Sequence, residues 1–234
     1  MKKLLLLPLF VFLLANEAPP AISIISYIAD PQHSRVEIFW KDERGQRIGS
    51  LGNLRNKLEA RGRKVQCLMN AGMFRKDFSP QGCYIENGKV VVGVDRSEGS
   101  GNFYLKPNGI LAIASDGAAK ICKTEDFEVG KDIAYATQSG PMLVSNGKIH
   151  AAFMRDSNNL NIRNGVGVLP DGKLLFAISE TKINFYEFAS FFQKAGCLNA
   201  LYLDGFVSKA YIPDRNYVQT DGNFGPMIAV IARH

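Results

Sequence analysis

Three residues have the types and the spacing to do chemistry together: Asp204, Glu180 and Arg163. Asp204 ends the apolar run Ala200-Leu201-Tyr202-Leu203 and is followed by Gly205. Such a run reads as a buried strand, and a carboxylate where it leaves the sheet is costly unless something meets it. Glu180 follows a second apolar run, Lys173 to Ser179. Arg163 precedes Asn164-Gly165-Val166-Gly167-Val168, which the Pro170-Asp171-Gly172 turn folds back on that run. With Leu169 opposite Lys173, counting back sets Arg163 opposite Ser179. Arginine suits paired hydrogen bonds to phosphate or carboxylate. Two carboxylates can serve as acid, base or nucleophile at a glycosidic bond. The alternative is a structural cluster in which Arg163 and the carboxylates cap a sheet edge.

The elements that must position these residues are legible. Asn184 caps a helix with Glu187 three residues on, and Phe185, Phe188, Ala189, Phe192 and Ala195 form its apolar stripe up to Gly196. Strand 173–179, this helix and strand 198–203 make a β-α-β unit with a crossover long enough for parallel strands. Ser179-Glu180 and Asp204-Gly205 then emerge at one edge, where open sheets bind ligands. Upstream, Ile22 to Ala29 and Arg35 to Trp40 read as strands around Asp30-Pro31. Ser50 to Arg63 reads as a helix, with Leu51, Leu54 and Leu58 on one face. Val65 to Met69 is a buried strand running into Asn70-Ala71-Gly72-Met73-Phe74, where small residues permit close approach. Short strands at Ala210 to Ile212 and Met227 to Ile231 close the chain.

The middle of the chain repeats. Two Asn-Gly hairpins, at Asn87-Gly88 and Asn146-Gly147, share their flanking pattern. A second pair of hairpins is read at Tyr104 to Ser115, turning at Pro107-Asn108-Gly109, and at Gly167 to Ser179, turning at Pro170-Asp171-Gly172. The offset is about 60 residues, the mark of an internal duplication. The fold class is therefore α+β: mixed, largely antiparallel sheets built from a duplicated pair of hairpins, a β-α-β unit near the C-terminus, and two main helices.

Met1-Lys2-Lys3 followed by uncharged Leu4 to Ala15 has the form of a signal peptide. Residues 1–18 are assigned to it and 19–234 to a single exported domain, periplasmic or secreted, with no membrane span after cleavage. A buried N-terminal strand or helix is the competing reading. A cut after Ala15 removes Lys2 and Lys3 and takes the formal charge from +6 to +4. Arg55, Lys57, Arg61, Arg63 and Lys64 fall on one helix as a solvated face, so a nucleic-acid partner is not expected. Cys67, Cys83, Cys122 and Cys197 lack metal spacing. Export permits disulfides among them, in three possible pairings. Cys67 and Cys197 read more readily as core residues. His33, His150 and His234 have no ligand spacing, and no phosphate-cradling loop or G-x-S-x-G elbow occurs. No cofactor or metal is assigned.

Asn70-Ala71-Gly72-Met73-Phe74, Gly101-Asn102-Phe103, Gln138-Ser139-Gly140-Pro141, Arg163-Asn164-Gly165-Val166-Gly167 and Leu203-Asp204-Gly205 stand in the order of a known family. From about Val65 to Pro213 the chain resembles the phosphodiester glycosidases, and is similar to an exported bacterial branch. The resemblance implies hydrolysis of a sugar-1-phosphodiester to a free sugar and a phosphate monoester, with Asp204, Glu180 and Arg163 catalytic. It implies that Asn70, Gly72, Gln138, Ser139, Asn164, Gly205 and Ser208 line the substrate cavity. Where one branch reads Asp-Gly-Gly-x-Ser, this chain has Asp204-Gly205-Phe206-Val207-Ser208, so the cavity should be bulkier or more apolar there. The partner expected is a sugar-1-phosphodiester or phosphate-linked glycan. The competing functions are a non-catalytic envelope module binding the same polymers and a metal-dependent phosphodiesterase using the carboxylates as ligands.

Overall fold

The computed structural model describes residues 22–204 and 206–233, so the signal-peptide assignment and Gly205 lie outside it. Three sheets hold the chain together, and every neighbouring strand pair in them is antiparallel. The first sheet orders Ile24–Ala29, Leu174–Ser179, Asn164–Val168, Asn199–Tyr202, Met142–Ser145 and Lys148–Ile149. The second orders Tyr217–Val218, Ala210–Ile212, Val65–Asn70, Met227–Ala232 and Ser34–Phe39. The third orders Lys89–Val92, Tyr84–Glu86, Ile133–Ser139, Gly109–Ala114 and Ala119–Lys123.

One core fills the space between them. Met69 and Ile228 reach it from the second sheet, Val166, Phe176 and Leu201 from the first, and Leu111 and Ile113 from the third. Helix α1, Leu51–Glu59, covers the outer face of the second sheet with Leu51, Leu54 and Leu58. Its N-cap Ser50 accepts from Asn53 N–H, which satisfies one of the orphan donors of the first turn. Helix α2, Phe185–Lys194, covers the outer face of the first sheet, and Asn184 and Glu187 close the expected capping box. Strand Leu174–Ser179 is buried on both faces for this reason. The glycines of Asn164–Val168 face α2: a Cβ on Gly167 would lie 2.6 Å from Cys197 Sγ and 2.8 Å from Phe192 Cδ1.

The duplication is present, with one strand assignment corrected. Both Asn-Gly turns form, with Asn87 and Asn146 each at φ 50°. The hairpin expected at Tyr104 to Ser115 does not form. Asn102–Tyr104 is a turn of 3-10 helix, and Gly109–Ala114 pairs onward with Ala119–Lys123. The five strands of the third sheet therefore repeat five of the six in the first, all but Ile24–Ala29: an Asn-Gly hairpin, a central strand, then a second hairpin. Gly109–Ala114 corresponds to Asn164–Val168, and Ile133–Ser139 corresponds to Asn199–Tyr202. The second copy carries α2 before its central strand. The physical reason for the difference is that Pro-Asn-Gly is turn chemistry, but Asn108 instead ties a loop, donating from Nδ2 to Phe103 O.

The β-α-β unit holds in direction. Leu174–Ser179 and Asn199–Tyr202 run parallel, with Asn164–Val168 between them and antiparallel to both. Helix α1 ends at Glu59, short of the expected Arg63, so of the basic group only Arg55 and Lys57 lie on it. Lys57 meets Asp42, and Arg61 and Arg63, beyond the helix end, meet Glu43 and Glu37. All four cysteines are free thiols, and Cys67, Cys83 and Cys197 are buried.

Candidate active site

The three sheets come to one point at the end of strand Asn199–Tyr202. Asn70 ends its strand in the second sheet, Ser139 ends the central strand of the third, and Asn164 opens its strand in the first. Asp204 N–H donates to Asn164 Oδ1 at 3.2 Å. Asp204 C=O accepts from Asn70 Nδ2 at 3.0 Å and from Ser208 Oγ at 2.9 Å. Asn164 Nδ2 donates to Asn70 O and to Asn70 Oδ1, each at 3.0 Å. Lys209 N–H donates to Asn70 Oδ1 at 2.9 Å, and Ser139 Oγ donates to Leu203 O at 2.5 Å. Asn70, Ser139 and Asn164 are buried. Buried amides persist only when their donors and acceptors are met, and here they meet one another and the backbone of Asp204.

This network leaves the Asp204 carboxylate itself little supported. Among the described residues its one hydrogen bond comes from Phe206 N–H to Oδ1, at 3.2 Å. Burial raises its pKa to about 6, the Phe206 bond opposing. Neither Glu180 nor Arg163 is among the causes of that rise. A carboxyl so poised changes its charge near neutral pH and can take or hold a proton there.

The side chains of the other two residues are engaged elsewhere. The register is as expected, with Ser179 N–H donating to Arg163 O. The side chain, however, lies on the α2 face. Arg163 Nε donates to Ile183 O at 2.8 Å, Nη2 to Asn159 O at 2.6 Å, and Nη1 to Tyr202 Oη at 3.4 Å. Its guanidinium stacks 3.6 Å from the Phe185 ring centre. It is 0% exposed and forms no ion pair among the described residues. Burial lowers its pKa. Strand alternation explains this: Arg163 faces with Gly165 and Gly167 toward the helix, and Asn164 faces with Val166 toward the core. Glu180 is exposed and accepts from Ser23 Oγ, its N–H donating to Ser23 O at 2.9 Å.

Gln138 belongs to a brace. Its Oε1 accepts from Cys83 N–H and Asp95 N–H, both at 2.9 Å, and Nε2 donates to Asp95 O at 2.6 Å. Gly72 lets the segment after Asn70 cross the end of the third sheet: a Cβ there would meet Gln138 O and Thr137 Oγ1 at 2.4 Å. The network residues Asn70, Asn164, Ser139 and Ser208 are brought together as a set. The part of Phe206 in holding the carboxylate is not among the sequence expectations. Its signal is the Asp-Gly pair, since an Asp side chain readily accepts from the backbone two residues on. No group of three or more His, Cys, Asp or Glu is gathered to hold a metal among the described residues.

Asn164 is the hub, so its truncation has a defined cost. Asn164→Ala removes the acceptor of Asp204 N–H and the donor shared by Asn70 O and Oδ1, about 2–3 kcal/mol. For a chain of this length a melting temperature lower by roughly 5–10 °C is expected in a thermal melt.

Comparisons with known proteins bear on the family and the fold. The family model described as phosphodiester glycosidase matches residues 63–231. The uncharacterized protein YigE of Escherichia coli is 36% identical over 212 residues, covering 89% of this chain and 83% of YigE. The catalytic domain of zebrafish N-acetylglucosamine-1-phosphodiester alpha-N-acetylglucosaminidase, auto-inhibited by its pro-peptide, has a similar fold. Its TM-score is 0.60 at 16% identity, over 93% of this chain and 85% of that one. A hypothetical protein from Synechocystis gives a TM-score of 0.55 at 13% identity, over 91% of this chain and 59% of its own. The chain belongs to the phosphodiester glycosidase family and is a glycosidase-type enzyme.

Proposed function

We propose that this enzyme hydrolyses the glycosidic bond of a sugar-1-phosphodiester, releasing a free sugar and a phosphate monoester. The observation that carries the reading is the Asp204 carboxyl, fixed through its backbone by Asn164, Asn70 and Ser208 and raised to about 6. The leaving group is a phosphate monoester, whose second pKa is about 6, so it departs with little help from an acid. The sugar carbon needs a carboxylate, as nucleophile or as base for water. Asp204 takes that role in its ionised form. Arg163 acts as a brace for the 159–163 and 183 backbone instead of contacting the phosphate. Glu180, set apart at the Ser23 edge, is not its partner.

Export is part of the proposal. It rests on the basic start and the uncharged run of residues 4–15. No described helix is long and apolar enough to cross a membrane. The proposed mature unit is residues 19–234.

The pH profile tests the role. A base or nucleophile must be ionised, so kcat/KM should fall about tenfold per pH unit below an apparent pKa near 6. Release of phosphate monoester from a pyranose 1-phosphodiester, followed from pH 4.5 to 8, gives the profile. A rate that instead declines as pH rises through 6 would assign Asp204 as an acid and overturn the mechanism.

A further inference from the structure

Phe206 is 95% exposed, the most exposed large apolar side chain among the described residues, and it stands two positions from Asp204. Its backbone N–H lies 3.2 Å from Asp204 Oδ1, so the side chain springs from a position beside the carboxylate. The segment that carries it is tied on both sides. Phe206 N–H donates to Asp204 Oδ1, Val207 packs against the α1 core, and Ser208 Oγ reaches Asp204 O and Asn164 Oδ1. The backbone is therefore anchored to the site while the ring is held out of every apolar cluster of the fold. Val207, next in the same short segment, is partly buried, so the exposure is particular to position 206.

Resting on the function proposed above, we infer that Phe206 is a substrate-positioning residue, a stacking platform for the C–H face of the sugar ring. The quadrupole of an aromatic ring is negative over its face, so it disfavours the phosphate and accepts the electropositive C–H edge of a pyranose. Aromatic walls with a few placed polar groups are the usual lining of sites for ligands of this size. The ring thereby sets the direction of the substrate: sugar toward Phe206, phosphodiester away from it. A glucose-type ring, with its substituents equatorial, presents the flattest C–H face and is the preferred class.

The test uses the methyl phosphodiester of glucose 1-phosphate with wild type, Phe206→Ala, Phe206→Leu and Phe206→Trp. Phe206→Ala should raise KM at least tenfold with kcat within about threefold and the apparent pKa near 6 unchanged. Phe206→Trp should keep the wild-type KM, and Phe206→Leu should behave as Phe206→Ala. In the Asp204→Asn background, calorimetric titration of the same ester should show Kd weakened tenfold by Phe206→Ala. Turnover with an unchanged KM in Phe206→Ala, or full rescue by leucine, overturns the platform alone. Binding that needs Phe206, without turnover by the wild type, overturns the hydrolase reading alone. Wild type that neither binds nor cleaves the ester overturns both. Since the ring makes no packing contact with the core, every variant should melt at the wild-type temperature.

Discussion

Asp204→Asn should abolish hydrolysis and at the same time make the protein more stable at pH 8. The rate is expected to fall by roughly 10³-fold or more, since the variant has no carboxylate to attack or to take a proton. The stability gain follows from the same burial. The carboxyl titrates near 6 in the folded chain against an ordinary value of 3.8. The folded state thus holds the proton more tightly than the unfolded one. Stability is greatest below about 3.8, falls as pH rises, and reaches its full deficit above about 6. That difference corresponds to about 2–3 kcal/mol. Asparagine removes the charge and keeps an oxygen for Phe206 N–H. Denaturant unfolding at pH 8 should show that gain, and at pH 3.5 wild type and variant should coincide. An equal loss of stability at both pH values would mean that the side chain is a structural cap.

Arg163→Ala carries the largest stability loss among the site-edge residues. It strips donors from Ile183 O and Asn159 O, both within 2.8 Å of the guanidinium, and removes the group stacked on Phe185. Ile183 O keeps its bond from Asn161 N–H. The cost is therefore the vacated core volume with the two lost charge-assisted hydrogen bonds, together about 4 kcal/mol. Such a loss could be mistaken for a catalytic effect, because an unfolded enzyme is also inactive. Arg163→Lys separates the two. It keeps the charge, loses the fork, and should melt several degrees lower. The folded protein should keep the wild-type Ki for inhibition by inorganic phosphate. A Ki raised tenfold in Arg163→Lys would place the guanidinium on the phosphate and contradict the brace.

The two outcomes share a cause in strand alternation. Arg163 and Asn164 are neighbours in the chain, yet one faces α2 and the other faces Asn70 and Asp204. Register needs only turn chemistry and counting, so Arg163 opposite Ser179 is legible in the sequence. Which face each residue takes depends on what covers the sheet. The glycine spacing of Asn164-Gly165-Val166-Gly167-Val168 carries that information, because only glycine lets α2 lie so close. Tyr202, on the same face, completes the pocket that holds the guanidinium.

Local chemistry is enough to read much of the rest. The capping box of α2, the apolar stripe of α1, both Asn-Gly turns and the strand that ends at Asp204 all depend on residues close in sequence. The parallel relation of Leu174–Ser179 and Asn199–Tyr202 follows from crossover length alone. The tertiary structure decided what no local rule addresses: that Asn70, Ser139 and Asn164 converge from three different sheets on one strand end. Sequence separations of 134, 64 and 40 residues divide the partners in those bonds. It also decided that Gln138 and Arg163 bond to the surrounding backbone, that Glu180 is met by Ser23, and that burial lifts Asp204 toward neutrality. Burial and long-range pairing are properties of the packed whole, which is why composition and spacing could propose the carboxylate but not its company.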